Sequence, residues 1–373
     1  MDGLIFGAVV AARILVPLAI PRFPLPAMLA ALVIDGLDQT IFQTFTHLDL
    51  EGYQTYDKAL DVYYLSIAYV ATLRNWTNHT AVGVSRFLYY YRMIGVVIFE
   101  ITQIRAVLLI FPNTFEYFFD FYEGVRARWD PRKLTKGLIV GAAAFIWIFI
   151  KLPQEWWIHV AQLDATDLIK TQIFGVPKDA SWIDAIANRP LVIVALVIVL
   201  VVLAFVVRWL FTKRLPPADY PWTFDADKNQ PPVDPARIEA VRRRLAERLF
   251  DRELVEKAAL ITLVIVIFGR MLPGVDATPL QTAVGVFVMI VANTLVTEAL
   301  VRQGASWSSA VRQFTVMLAI NLLIVAVGQS ILASLTGRRL EHALVFAGLI
   351  TLIVTLYDRY RPIHVARFES HHE

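Results

Sequence analysis

Four aspartates near the N-terminus are the residues of this chain best suited to chemistry. Asp35 and Asp38 are three positions apart, and Asp57 and Asp61 are four apart. Each pair therefore occupies one face of a helix. A short hairpin between the two helices would bring both faces together at one membrane surface. Lys58 is the sole lysine or arginine within residues 32–64, so the carboxylates need protons or a cation to relieve their mutual repulsion.

Hard oxygen ligands of this kind favour Mg²⁺ or Mn²⁺, or Ca²⁺. The four aspartates therefore predict a divalent metal site. Three other interpretations stay open. Asp35 and Asp38 could be neutral or paired with an arginine, for which Arg13 in the first apolar segment is the candidate. The acids could line a cation pathway, or the four aspartates could be ordinary interfacial charge.

The elements that carry these residues are apolar segments long enough to cross a membrane. The chain is 57% hydrophobic and 18% charged, whereas soluble domains carry about 25% charged residues. Without cysteine, disulfides and thiolate chemistry are excluded. We expect an all-α polytopic membrane protein with about ten transmembrane helices. They lie near residues 3–21, 25–45, 54–74, 84–111, 137–155, 190–212, 255–273, 279–300, 313–335 and 340–357. Residues 112–125 are too polar to span and predict an interfacial helix.

The basic residues predict an orientation and a division of the chain. Lysines and arginines are concentrated in 126–136 and in the linker 213–254, which the positive-inside rule assigns to the cytoplasm. With ten helices, both termini and the acidic hairpin then lie in the cytoplasm, and turn 22–24 lies outside. We expect a bacterial inner-membrane protein with three parts. They are a six-helix unit at 1–212 with the acidic site, a cytoplasmic linker at 213–254 with a basic amphipathic helix, and a four-helix unit with a cytoplasmic tail at 255–373.

The spacing of the aspartates resembles the signature of the CDP-alcohol phosphatidyltransferase family. That signature is D-x2-D-G-x2-A-R, then eight or nine residues, then G-x3-D-x3-D. All four aspartates of this chain fall in register, with nine residues between the two halves. The segment ARILVP (12–17) is similar to the family's first helix, and the six predicted helices of 1–212 resemble its bundle. The likeness is clearest over residues 7–74.

The resemblance implies roles for individual residues. One or two divalent ions would be held by Asp35, Asp38 and Asp57, with Asp61 beside them. Asp61 would also deprotonate the acceptor alcohol. Four motif positions differ from the family, because Gln39 and Tyr53 replace its glycines, Phe42 its alanine and Gln43 its arginine. The expected substrate-binding residues are Gln39, Gln43, Lys58 and Arg105, where Arg105 of the fourth predicted helix would replace the missing arginine.

The leading functional hypothesis is a divalent-metal-dependent transferase that moves a phosphate-linked group onto a lipid or polyol alcohol at the cytoplasmic face. Its partners would be a membrane lipid and a small phosphate-bearing donor, and nothing in the sequence favours a nucleic acid. A homodimer and a larger membrane complex are both open. The alternatives are a non-enzymatic cation transporter or channel, and a catalytically inactive scaffold subunit of a membrane complex.

Overall fold

The computed structural model describes residues 2–46, 53–163, 165–246, 252–271, 290–292, 295, 313–323 and 340–369. In a few helical stretches, including 53–59, it describes the backbone course alone. Every regular element in these ranges is helical, so the all-α membrane class is confirmed. Five described helices are long and apolar enough to cross a membrane, and the predicted number of ten is not confirmed. The five are Asp2–Ala19, Pro24–Phe45, His79–Thr102, Lys136–Val160 and Pro190–Leu210.

The first four helices run up and down. Helix α1 (Asp2–Leu15) continues as a 3₁₀ turn (Val16–Ala19) and joins α2 (Pro24–Phe45), which begins at a proline, as suits a first helical turn. The rings of Phe6 and Phe42 lie 5.6 Å apart, so α1 and α2 are antiparallel. Helices α3 (Tyr53–Asn75) and α4 (His79–Thr102) follow. The side chain of Asn78 caps α4 by accepting hydrogen bonds from the N–H groups of Thr80 and Ala81.

Helix α3 lies at the centre of the bundle. Its residues 60–73 are buried apart from the intermediate Asp61. It packs against α1, α2, α4, α13 (Arg252–Met271) and α15 (Leu340–Glu369). Ile261 and Val354, from the last part of the chain, belong to the same hydrophobic core as Ile67 of α3. The described helices of the two predicted membrane units thus share one core, while the predicted helices near 279–300 and 313–335 lie mostly outside the described residues. Residues Gln313–Leu323 form α14.

Between α4 and the next long helix, the chain folds back into the bundle. Helix α4 ends at Gln103, which has the left-handed φ of 57°. The short α5 (Ala106–Ile110) then returns along α4, where Arg92 Nη1 donates to the carbonyl of Phe111 over 3.0 Å. Phe111 packs so closely on Gly95 that a Cβ there would lie 2.1 Å from the Cβ of Phe111. The glycine is therefore required for the chain to return through the bundle.

Helix α6 (Thr114–Arg126) starts inside the bundle and is buried on its aromatic face. Phe115, Phe118, Phe119 and Tyr122 are fully enclosed. The prediction of an interfacial helix at 112–125 is therefore wrong. Its acidic residues suggested an exposed polar face, but Glu116 and Glu123 are buried and bonded to side chains outside α6. Sequence periodicity does not reveal such tertiary partners.

The next long span consists of α7 (Lys136–Phe145), α8 (Leu152–Glu155) and two π-helical segments, Ile146–Lys151 and Trp156–Val160. The connection that follows holds α9 (Ala165–Leu168), a third π-helical segment (Ile169–Phe174) and α10 (Trp182–Asn188). Helix α11 (Pro190–Lys213) leaves its apolar side chains exposed along its length, as a lipid-facing helix does. A linker then leads to α12 (Pro235–Ala246), which packs against α15.

One end of the bundle, termed the basic end, gathers residues 20–23, 75–79, 126–135 and 214–235. Ala226 N donates to Arg22 O over 2.8 Å, and Asn229 Nδ2 donates to Arg126 O over 3.0 Å. Arg367 Nη1 donates to Arg74 O over 2.8 Å, so the end of α15 lies here too. The opposite end, termed the α2–α3 end, is where α2 finishes and α3 begins, and Asp2 lies beside it.

These contacts correct the predicted topology. Turn 22–24 and the linker 213–254 were assigned to opposite sides of the membrane, but Arg22 and Asp225 form an ion pair of 3.8 Å. Both termini were assigned to one side, yet Asp2 and Glu369 lie at opposite ends of the bundle. The cause is the returning segment α5–α6, which carries the chain from the α2–α3 end to the basic end. A count of hydropathic spans missed this passage, so the sides predicted for the segments before it are inverted relative to those predicted for 126–135 and 214–235.

Candidate functional site

The side chain of Arg13 joins three of the four aspartates. Its Nη1 donates to Asp38 Oδ2, and its Nη2 donates to Asp35 Oδ1 and, over 3.0 Å, to Asp61 Oδ1. The side chains of Arg13 and Asp38 are 3% and 0% exposed, whereas those of Asp35 and Asp61 are 26% and 30% exposed. The Arg13 cluster, as these four residues are termed below, therefore has a closed side at Asp38 and an open side at Asp35 and Asp61.

The helices explain why these side chains meet. Asp35 and Asp38 share one face of α2, and α1 runs antiparallel beside it, so that Arg13 lies against that face. Asp38 is seven residues before the end of α2, and Asp61 is eight residues after the start of α3. At 1.5 Å per residue they lie about 10 and 12 Å along their helices from the α2–α3 end. The cluster is therefore within the span and nearer to that end.

The charges of the cluster do not balance. Three carboxylates face one guanidinium, which leaves a formal charge of −2 when all four groups are ionised. Adding Asp57 and Lys58, which follow one another on α3, does not change that sum. Negative charge is costly at membrane depth, and one divalent cation or two protons would offset the formal −2 of these four groups. The donor set itself, carboxylate oxygens with two of the side chains partly exposed, fits a hard divalent cation.

The predicted site residues are thus brought together in part. Asp35, Asp38 and Asp61 converge, whereas the side chains of Asp57 and Lys58 lie outside the described residues, with their backbone one turn from Asp61. Three further predicted residues, Gln39, Gln43 and Arg105, are exposed. In the described part of the chain, none of these three bonds to a carboxylate of the cluster.

The alternative of arginine-paired aspartates is the arrangement that the structure has, with Arg13 as the partner. Among the described residues, no group of three or more acidic, histidine or cysteine side chains is arranged to hold a metal ion. The reason is visible in the geometry, since the guanidinium stands between the three carboxylates. A cation bound by these residues would therefore take one or more of the carboxylates from Arg13.

A second buried polar network begins one turn further along α3. Tyr64 OH donates to Glu116 Oε2 over 3.1 Å, and Asn113 Nδ2 donates to the same oxygen. Lys151 Nζ lies 3.7 Å from Glu116 Oε1 and 3.7 Å from the centre of the Tyr117 ring. Because Tyr64 follows Asp61 at i+3, the two share a face of α3. This network adjoins the Arg13 cluster.

Glu155 extends the network toward α8. Its Oε1 accepts from Asn113 N over 2.9 Å and lies 3.7 Å from Arg92 Nη1, and its Oε2 lies 3.0 Å from His159 Nε2. Sequence reasoning gave Lys151 and Glu155 no role. The sequence feature that could have indicated a role was a lysine and a glutamate at the end of an apolar run, with a histidine four residues after the glutamate.

Helix α6 carries three acidic side chains that extend from the second network toward the basic end. Glu116, Asp120 and Glu123 recur at i, i+4 and i+7 on one face of this helix. Glu123 Oε1 accepts from Trp76 Nε1 over 2.7 Å, and its Oε2 lies 3.1 Å from Arg126 Nε. Carboxylates therefore follow one another from the Arg13 cluster, by way of Tyr64, to the basic end.

Comparison with known proteins identifies no relative of this chain: no family model, no curated protein and no solved structure matches it.

Proposed function

We propose that this chain is a divalent-cation-dependent membrane enzyme that transfers a phosphate-linked group onto the hydroxyl of a membrane alcohol, with the Arg13 cluster as its reaction centre. One observation carries the proposal. Three carboxylates from two helices converge within the membrane on a single buried guanidinium, in a group whose formal charges sum to −2. The spacing of the same aspartates supplied the resemblance to the CDP-alcohol phosphatidyltransferase family.

The residues of the cluster have different parts in this proposal. Asp35 and Asp38, with Asp57 from α3, would hold Mg²⁺ or Mn²⁺, or Ca²⁺. When bound, such an ion supplies the positive charge that neutralises a transferred phosphate group. Asp61, partly exposed at the open side, would accept the proton of the acceptor hydroxyl as its oxygen bonds to the donor's phosphorus. The donor's bond between that phosphorus and its leaving oxygen would break, and the leaving part of the donor would depart with the bonding electrons. Arg13 orients Asp35 and Asp61 through one shared nitrogen, and its guanidinium is suited to bind a phosphate oxygen once a carboxylate is withdrawn.

The distribution of basic residues supports a position of the Arg13 cluster in the outer half of the membrane. Basic residues are concentrated in the basic end, in the adjoining last residue of α11 and in α12: Arg126, Arg128, Arg132, Lys133, Lys213, Arg214, Arg237, Arg242, Arg243, Arg244 and Arg367. The positive-inside rule supports assigning this end to the cytoplasm, with the N-terminus outside and the membrane a bacterial inner membrane. The Arg13 cluster then lies in the outer half, unlike the expected cytoplasmic face. A donor embedded in the membrane by a lipid tail suits this position better than a soluble nucleotide.

The proposal is tested by comparing the lipids of cells that express the wild-type chain, Asp61→Asn or Asp179→Asn. Asp179 is an exposed carboxylate in the connection between Val160 and Pro190, which makes it a matched control. Mass spectrometry of the lipid extracts should show a phosphate-containing lipid with the wild type and the control. Asp61→Asn should reduce this product about 10²- to 10⁴-fold, as expected for a lost general base. Equal product from Asp61→Asn and the wild type would contradict the proposal.

A cation or proton transporter is the second candidate, and the acidic line on α6 favours it. Chains of acidic side chains inside a helical bundle are typical of proton and cation pathways. Here they lead from the partly exposed Asp61 through Tyr64 and Glu116 to Glu123 near the basic end. In liposomes, transport along this line would be lost in Glu116→Gln. The lipid product of the first proposal would persist in the same variant, which separates the two functions.

A further inference from the structure

A large groove lies between α6 and α7, at the basic end and apart from the Arg13 cluster. Its volume is about 1490 Å³, and its walls include Leu25, Gly124, Leu138, Gly141, Phe145 and Trp222. Pockets for drug-sized ligands measure about 300–1,000 Å³. The space is therefore larger than a small polar metabolite needs, and its predominantly apolar walls suit a hydrocarbon chain.

The groove is as long as a lipid. Along α7 and the π-helical segment after it, the groove extends from Thr135 to Ile150, which is about 22 Å at 1.5 Å per residue. Half of the roughly 30 Å hydrocarbon core is about 15 Å, so the groove accommodates one acyl chain and the head group above it. Leu138 and Phe145 are 51% and 56% exposed, and thus the groove is open sideways to the bilayer.

Two glycines leave room in its walls. A Cβ added at Gly124 or at Gly141 would meet no atom within 4 Å. Larger side chains at these places would occupy the groove without displacing the protein around it. Gly137, one turn before Gly141 on α7, also has open space around it, but it does not line the groove.

The mouth of the groove combines tryptophans with basic residues. Trp129 and Trp222 line it, and the Cζ of Arg128 lies 6.0 and 5.1 Å from their ring centres. Tryptophan is enriched at the level of lipid head groups. In the part of the chain that the structure describes, no carboxylate pairs with the Arg128 guanidinium.

Two other basic side chains at the mouth pair with carboxylates. Arg132 Nη2 lies 2.8 Å from Asp130 Oδ2, and hydrogen bonds from Arg132 lower the pKa of Asp130. Lys133 pairs with Asp219, whose pKa is lowered by a hydrogen bond from the Asp130 backbone N–H. Both carboxylates are therefore ionised at neutral pH. Arg128, by contrast, is available to an anionic group.

From this geometry we propose that the groove binds one phospholipid with an anionic head group, its acyl chain between α6 and α7 and its phosphate on Arg128 beside Trp129 and Trp222. This binding is independent of the reaction proposed for the Arg13 cluster. Its function would be to hold α6 and α7 together through a lipid of the leaflet at the basic end.

Native mass spectrometry of the full-length protein in detergent tests the proposal, with phosphatidylglycerol and phosphatidylcholine as probes. The wild type and Gly137→Leu should each retain one phosphatidylglycerol molecule in preference to phosphatidylcholine. Gly141→Leu, which fills the groove, should weaken that binding about tenfold or more. Ala142→Phe fills the same groove and serves as a second variant if Gly141→Leu does not fold.

Arg128→Gln tests the head group separately. It should retain a bound lipid but lose the preference for phosphatidylglycerol over phosphatidylcholine. The proposal is overturned if folded Gly141→Leu or Ala142→Phe binds phosphatidylglycerol as Gly137→Leu does. It is also overturned if the wild type binds the two lipids equally, or if Arg128→Gln keeps the wild-type preference.

Discussion

Replacing Arg13 by glutamine should destabilise the protein strongly and make its stability depend on divalent cations. The guanidinium is 3% exposed and bonds to three carboxylates. Without it the formal charge of the cluster changes from −2 to −3 within the membrane span. Removing one partner of a buried ion pair costs about 3–5 kcal/mol, because the remaining charge is left uncompensated.

A divalent cation should restore part of this loss if the carboxylates can hold one. A ligand that binds the folded state alone at 100 times its Kd stabilises that state by about 2.7 kcal/mol. Mn²⁺ at such a concentration should therefore recover roughly half or more of the stability lost in Arg13→Gln. Asp38→Asn should behave differently, because it removes one ligand and lowers the negative charge. Its stability should not be restored by Mn²⁺.

The assay is thermal unfolding of the purified variants in detergent, with a chelator or with Mn²⁺. Arg105→Gln is the control, since Arg105 is exposed and surface substitutions usually change stability by no more than about 0.5 kcal/mol. The reasoning is refuted if Arg13→Gln is as stable as Arg105→Gln in chelator. It is also refuted if Mn²⁺ stabilises Arg13→Gln no more than it stabilises the control.

Two further predictions concern the returning segment and the orientation. Gly95→Ala should lower the free energy of unfolding by about 1–3 kcal/mol through overpacking against Phe111. Gly83→Ala in the same helix, where a Cβ meets no atom within 4 Å, should raise it by up to about 1 kcal/mol. Equal effects of the two substitutions in thermal unfolding would contradict the close packing at Gly95. The chain lacks cysteine, so Asp179→Cys and Lys228→Cys can be labelled in intact cells, and an impermeant thiol reagent should modify the first and leave the second unmodified. Labelling of both from outside would contradict opposite positions for these two segments.

The approach of Asp35, Asp38 and Asp61 to one another was predictable in part, because it depends on local spacing. Asp35 and Asp38 at i, i+3 share one face of a helix, and a short connection joins that helix to the one that carries Asp61. Arg13 was harder to assign, since its position against α2 depends on the packing of α1. From the sequence, pairing of Arg13 with the aspartates was one alternative among several. The tertiary structure is what shows the Arg13 guanidinium between the carboxylates.

The returning segment could not be predicted for a different reason. The reversal after α4 occurs at Gln103, a left-handed residue that is neither glycine nor asparagine, so the usual turn signal is missing. The polar groups of α6 are satisfied by distant residues, such as Tyr64 for Glu116. With this passage overlooked, Arg22 was assigned to the side opposite its partner Asp225, although each loop taken alone followed the positive-inside rule.

Mn²⁺ binding, followed by electron paramagnetic resonance on the purified protein, most directly tests whether the Arg13 cluster is a cation site. We predict that the wild type and Asp179→Asn bind one Mn²⁺ with the same affinity, and that the double variant Asp35→Asn, Asp61→Asn loses this binding. Competition by Mg²⁺ should displace the Mn²⁺ signal of the wild type. An absence of protein-bound Mn²⁺ in the wild type, or unchanged binding in the double variant, would contradict a cation site at these carboxylates.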